Sequence, residues 1–110
     1  MEKAQDERGH NGWTNYETWA VGLWLDNEQA IYLYWREQAA RHREEGPKAP
    51  QVRDGIWTAD EAARFNLADQ VKEEVTDASP LSEASLYADL LGAALSEVDW
   101  LEIVDNWLSE

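Results

Sequence analysis

Two histidines, 23 carboxylates and no cysteine bound the chemistry open to this 110-residue chain. Without cysteine there is no thiol nucleophile, no disulfide and no thiolate-bound zinc, which fits a reducing compartment. His10 lies in a polar N-terminal stretch and His42 at the basic end of a predicted helix, and neither has a second histidine at helical spacing. A metal or catalytic role is expected of neither. Gly9, Gly12, Gly22, Gly46, Gly55 and Gly92 fall into no phosphate-cradling loop. Asp26-Asn27-Glu28 and Asp54-Gly55 are fragments of a calcium loop, better read as cap and turn residues. So many carboxylates make accidental pairs common, so no single pair marks an acid and base. The sequence therefore predicts a protein without cofactor or metal that performs no chemistry of its own.

The charge is more informative. The formal net charge is −14, and it is uneven: residues 1–53 carry 9 acids and 7 bases, while residues 54–110 carry 14 acids and 2 bases, Arg64 and Lys72. Nucleic-acid affinity rests on neutralising phosphates with Lys and Arg, so direct binding to DNA or RNA is disfavoured. No stretch approaches the ~18 consecutive apolar residues of a membrane span, and the N-terminus has no signal-peptide core, so a cytoplasmic protein is expected.

The elements that must position these side chains read as helices. Residues 1–12 lack apolar periodicity and are expected to form a disordered arm before one helical domain over 13–110. Thr14 and Glu17 have capping-box spacing before Tyr16, Trp19, Ala20 and Leu23, predicting a helix over roughly 15–25. Asp26 and Gln29 repeat that spacing and predict a restart carrying Ile31, Tyr34, Trp35 and Ala39, the aromatic-rich pair together covering 15–45. Gly46, Pro47, Pro50 and Gly55 mark a loop over 46–57.

Three acidic helices then fill 58–110. Thr58 and Glu61 make a capping box ahead of Ala62, Phe65, Ala68, Val71 and Val75. Ser79 followed by Pro80 predicts an N-cap with proline at the first helical position, and Ala84, Tyr87, Ala88, Leu91, Ala94, Leu95 and Val98 read as the clearest core helix. Asp99 and Glu102 cap a last short helix bearing Trp100, Ile103, Val104, Trp107 and Leu108. No segment alternates long enough to make a strand, so the fold class expected is all-α, a compact bundle of four to five helices.

Two surfaces are candidates for a partner. The first is acidic: Asp60, Asp69, Glu73, Glu74, Asp77, Glu83, Asp89, Glu97, Asp99, Glu102 and Asp105, held on helices with few counter-bases. Residues three or four apart on a helix lie about 5–6 Å from each other, so a rigid acidic helix can imitate a nucleic-acid backbone and compete for a basic groove. The second is aromatic. Rings five positions apart, such as Trp19 and Trp24, point about 140° apart, so the seven rings from Trp13 to Trp35 cannot all be buried by two helices. Trp24, Tyr32 and Trp35 are the candidate anchors.

The segment Asn15-Tyr16-Glu17-Thr18-Trp19, running into Leu23-Trp24-Leu25-Asp26-Asn27-Glu28, resembles the opening of small proteins encoded by phages and other mobile elements. Val98-Asp99-Trp100-Leu101-Glu102-Ile103 resembles the way such proteins end. The resemblance implies a mobile-element setting. With small size and an acidic helical surface, that setting is similar to inhibitors of bacterial defence, the anti-restriction and anti-CRISPR proteins, several of which mimic DNA. The function expected is an anti-defence inhibitor in the cytoplasm of a bacterial host, occupying the basic nucleic-acid-binding surface of a nuclease or surveillance complex. The alternative is a protein–protein interaction module that docks through its aromatic N-terminal helices.

Overall fold

The computed structural model describes residues 11–110, so most of the expected arm, His10 included, lies outside the described residues. Asn11 and Gly12 form a turn with φ of 48° and 88°. Five helices follow: α1 (Tyr16–Asn27), α2 (Gln29–Glu45), α3 (Ala59–Asp77), α4 (Leu86–Ser96) and α5 (Trp100–Leu108). No strand forms among the described residues, and the architecture is the all-α bundle that the sequence predicts.

The start of α1 differs from expectation. Asn15 is its N-cap, not Thr14: the Asn15 Oδ1 accepts from the Thr18 N–H at 2.9 Å and from the Thr18 hydroxyl at 2.7 Å. Thr14 instead donates its backbone N–H to the Glu102 carboxylate at 3.1 Å. Thr18 is fully buried and its hydroxyl accepts the Asp99 N–H at 2.8 Å, while Asn15 Nδ2 donates to the Glu97 carbonyl at 2.7 Å. The Asn-Tyr-Glu-Thr-Trp segment thus works as a clamp between the entry of α1 and the entry of α5. Its polar members satisfy backbone groups that burial would otherwise leave unpaired.

The break between α1 and α2 falls at Glu28, which is extended at φ −105° and makes no side-chain cap. Asp26 stays inside α1 and does not cap α2. Its carboxylate is taken by Trp107 Nε1 at 3.2 Å and by Arg36 at 2.9 Å. The expected 46–57 loop holds a 3₁₀ turn, Gly46–Lys48, and one α-turn, Pro50–Arg53, each with a proline in its first two positions, where the missing N–H costs nothing. A Cβ on Gly46 would sit 2.6 Å from the Ala59 carbonyl oxygen, so glycine lets the end of α2 pass against the start of α3. The Thr58–Glu61 capping box forms as predicted, with hydrogen bonds of 3.1 and 2.9 Å.

The core is the meeting of α2, α3 and α5. Trp35 and Ala39 from α2, Leu67, Ala68 and Val71 from α3, and Ile103, Val104 and Trp107 from α5 are buried, with the Trp35 and Trp107 rings stacked at 5.3 Å and 17°. Burying each large aliphatic side chain contributes about 1.5–3 kcal/mol, so this cluster carries most of the fold's stability.

Two expectations about the following segment are corrected. Pro80 does not begin a helix: the Ser79 hydroxyl accepts from the Leu81 N–H in a local turn, and α4 starts at Leu86 behind Ser85, whose hydroxyl accepts from Ala88. Ser85, itself extended at φ −165°, is the competing N-cap and stands directly before the apolar run Leu86–Leu95. Nor is α4 a core helix, since it has no buried residue. The last capping box is also half of what its spacing suggests. Asp99 accepts from the Glu102 N–H at 3.1 Å, but the Asp99 N–H goes to Thr18, and Glu102 accepts from Thr14.

Candidate functional site

The acidic residues do not form one continuous surface. Asp69, Glu73 and Asp77 are exposed at four-residue spacing along α3, where they border a shallow concavity with Lys72 and Thr76. Like charges at i and i+4 destabilise a helix by a few tenths of a kcal/mol per pair, so this stripe is held there by packing on the opposite face. Asp60 stands apart, in the first turn of α3, where a carboxylate suits the helix dipole. Glu83 lies in the connection before α4, Asp89 on α4 and Glu97 at its C-cap, all three exposed.

The remaining carboxylates have structural partners. Asp99 and Glu102 are occupied at the clamp. Asp105 receives Arg64 in a two-pronged contact of 2.8 and 3.2 Å, and this hydrogen bond raises the Arg64 pKa above its ordinary value. Of the two counter-bases of residues 54–110, Arg64 is therefore committed to Asp105, while Lys72 is exposed beside the stripe. Arg36, from the less acidic half, grips Glu110 at 2.8 and 2.6 Å and Asp26 at 2.9 Å. Desolvation pulls the Arg36 pKa down, but its hydrogen bonds to Glu110 and Asp26 and their charges leave it raised overall.

The candidate aromatic anchors separate into three environments. Trp24 is 73% exposed, as an anchor would be. Tyr32 is half-buried, its face covered by the Arg36 guanidinium 4.0 Å from the ring centre. Trp35 is only 3% exposed, so its reading as a surface anchor is wrong: it is a core residue stacked on Trp107. Its position four residues before Ala39 and four after Ile31 puts it on the inward face of α2.

An apolar groove of about 330 Å³ opens where α1, α2 and α3 meet, lined by Leu25, Ala30, Ile31, Tyr34, Trp35, Glu74, Val75 and Ala78. Tyr34 closes one wall by donating its hydroxyl to Glu74 at 2.9 Å, and Gln70 Nε2 donates to the same carboxylate at 2.8 Å. Burial, the hydrogen bond to Glu74 and the charge of Glu74 together raise the Tyr34 pKa. The seam continues through Gln70 to Gln38, Arg41 and His42, whose Nε2 meets Gln70 Oε1 at 2.6 Å. His42 thus has a structural role. Among the described residues no three of His, Cys, Asp and Glu come together as a metal would require.

Residues 6–89 match the model of a family of unknown function, DUF7249. The chain belongs to this family. The DUF7249 match runs from before α1 into the first turn of α4, so it includes the groove and the Asp69–Asp77 stripe. It stops short of α5, which supplies Ile103, Val104 and Trp107 to the core. No match was found among curated proteins or solved structures.

The groove joins the two halves of the sequence, its aromatic wall coming from α1 and α2 and its third wall, Glu74, Val75 and Ala78, from the end of α3. Tyr34 and Ile31 carry the 3.6-residue period of an amphipathic helix, but nothing local to them indicates that Val75 and Ala78 face them across a groove.

Proposed function

We propose that this protein is a non-enzymatic inhibitor that binds the basic, nucleic-acid-binding surface of another protein, the first candidate being a bacterial nuclease or surveillance complex. The observation that carries this reading is the stripe of Asp69, Glu73 and Asp77, exposed at four-residue spacing along α3 with Lys72 as its one neighbouring base on that helix face. A basic surface complements that stripe: Lys and Arg side chains spaced along a nucleic-acid groove meet the carboxylates presented along one helix. The net charge of −14 would draw such a partner in from a distance and raise the association rate. The protein itself, being strongly negative, repels nucleic acid and displaces it by occupying the same cations.

A second reading rests on Trp24, exposed at 73% on α1. In it the aromatic helices dock on an apolar partner surface and the acids serve solubility alone.

One measurement separates the two. The affinity of the full chain for a type I CRISPR surveillance complex, and for a restriction endonuclease, is followed as salt rises and as DNA is added. The expected result is a steep loss with salt, competition by DNA, and a further loss on the order of tenfold or more for the Glu73→Lys, Asp77→Lys double variant. Binding indifferent to both salt and DNA, yet abolished by Trp24→Ala, would replace the acidic reading with the aromatic one.

A further inference from the structure

Helix α4 is apolar around most of its circumference but is not covered. Leu86, Tyr87 and Leu90 are 66%, 68% and 60% exposed, while Leu91 and Leu95 turn half-buried toward the body. A helix apolar on nearly every side is ordinarily a buried one. Among the described residues α4 lies along no other helix and is tied to the body mainly where Leu95 reaches the core and Asn15 holds the Glu97 carbonyl.

We propose that the outer face of α4 pairs with α4 of a second copy, the two helices running antiparallel about a two-fold axis at Leu90. The inference is independent of the inhibitor reading. Its first support is self-complementarity. Leu86, Leu90 and Ala93 recur exposed at i, i+4 and i+7 with Tyr87 and the half-buried Ala94 beside them, bulky in the first half of the face and small in the second. Antiparallel pairing about Leu90 sets Leu86 and Tyr87 of one copy against Ala94 and Ala93 of the other, knobs against holes, as an isologous contact requires.

The second support is charge. The chain repels its own copy over most of its surface, but α4 carries a single acid, Asp89, where α3 carries six and α5 two. It is the least acidic helix of residues 54–110, and pairing about Leu90 brings only the two Asp89 carboxylates near each other, at one exposed edge of the seam. A pair of three-turn helices falls below the ~1,200 Å² of a standard interface, so the dimer exchanges with monomer. Salt screens the repulsion between the bodies and leaves the apolar contact intact, so self-association strengthens with salt, opposite in sign to docking of a basic partner.

The test is sedimentation of the full chain over a concentration series at low and high salt. The weight-average mass should climb toward twice that of the monomer, with the curve moved to lower concentration by salt. Leu86→Glu places a carboxylate in the first turn of α4, where it favours the helix, and should hold the protein monomeric with unchanged circular dichroism. Because the chain has no cysteine, single-cysteine variants report geometry directly. Leu90→Cys should cross-link between copies with a short bis-maleimide, whereas Gly92→Cys, which points elsewhere on α4 into open space, should not. A chain that stays monomeric to about 1 mM at high salt overturns the proposal, as does equal cross-linking at positions 90 and 92.

Discussion

Helices α4 and α5 follow one another in the chain, carry similar apolar repeats and have opposite fates. In α5, Trp100, Ile103, Val104 and Trp107 are all buried; in α4 no residue is. The difference lies in the polar contacts around the repeat. Thr14, Thr18, Asp26 and Arg64 reach α5 or its cap through Glu102, Asp99, Trp107 and Asp105, fixing it from its first turn to its last. Among the described residues helix α4 has such a tie only at its C-terminal end, through the Glu97 carbonyl. Apolar periodicity marks a face that needs covering. Polar contacts at the margins of that face decide which neighbour covers it.

The largest effect should come from removing what α5 buries. Trp107→Ala deletes the ring stacked on Trp35 and the donor to Asp26, and a buried tryptophan truncation costs about 3–5 kcal/mol. Urea unfolding of the variant should show that loss. A cost below about 1 kcal/mol would mean that α5 is no more firmly held than α4, and the contrast between them would vanish.

A smaller effect should follow from loosening the clamp. Thr18→Val keeps the side-chain shape but removes the hydroxyl that accepts the Asp99 N–H at 2.8 Å in a fully buried position. Leaving that donor without an acceptor costs about 1–3 kcal/mol. Amide exchange should report it locally, with protection falling at the start of α5 and unchanged in the middle of α3.

These two variants also mark how far the sequence could be read. The Thr58–Glu61 box and the inward face of α5 were legible because each depends on residues within one or two turns. Thr14 and Asn15 are both good N-caps by residue type, and the choice between them is made by Glu102, 88 residues away, taking the Thr14 N–H. Pro80 looked like a helix start for the same reason, with Ser85 an equally good cap five residues on. The acidic stripe was visible as composition, but not that Asp99, Glu102 and Asp105 are engaged while Asp69, Glu73 and Asp77 remain exposed. That division follows from the Arg64 side chain of α3 and the Thr14 N–H both being directed at α5, away from the outer face of α3. The groove was not legible at all, because it belongs to three helices and to no segment.

The smallest expected effect tests the other side of the comparison. Leu90→Ser on α4, in dilute protein, replaces a side chain that is 60% exposed, so little buried area is lost and the helix-propensity penalty is a few tenths of a kcal/mol. Unfolding stability should change by no more than about 0.5 kcal/mol, as at an ordinary surface position. If the variant instead lost the 2–5 kcal/mol typical of a truncated core leucine, α4 would be covered within its own chain and the exposed face would not exist. Repeated at high concentration, the same substitution should cost more than it does in dilute protein. There the wild-type chain gains stability by pairing through α4, and the serine variant does not, so the excess cost measures the covering that α5 obtains from its own chain and α4 only from a second copy.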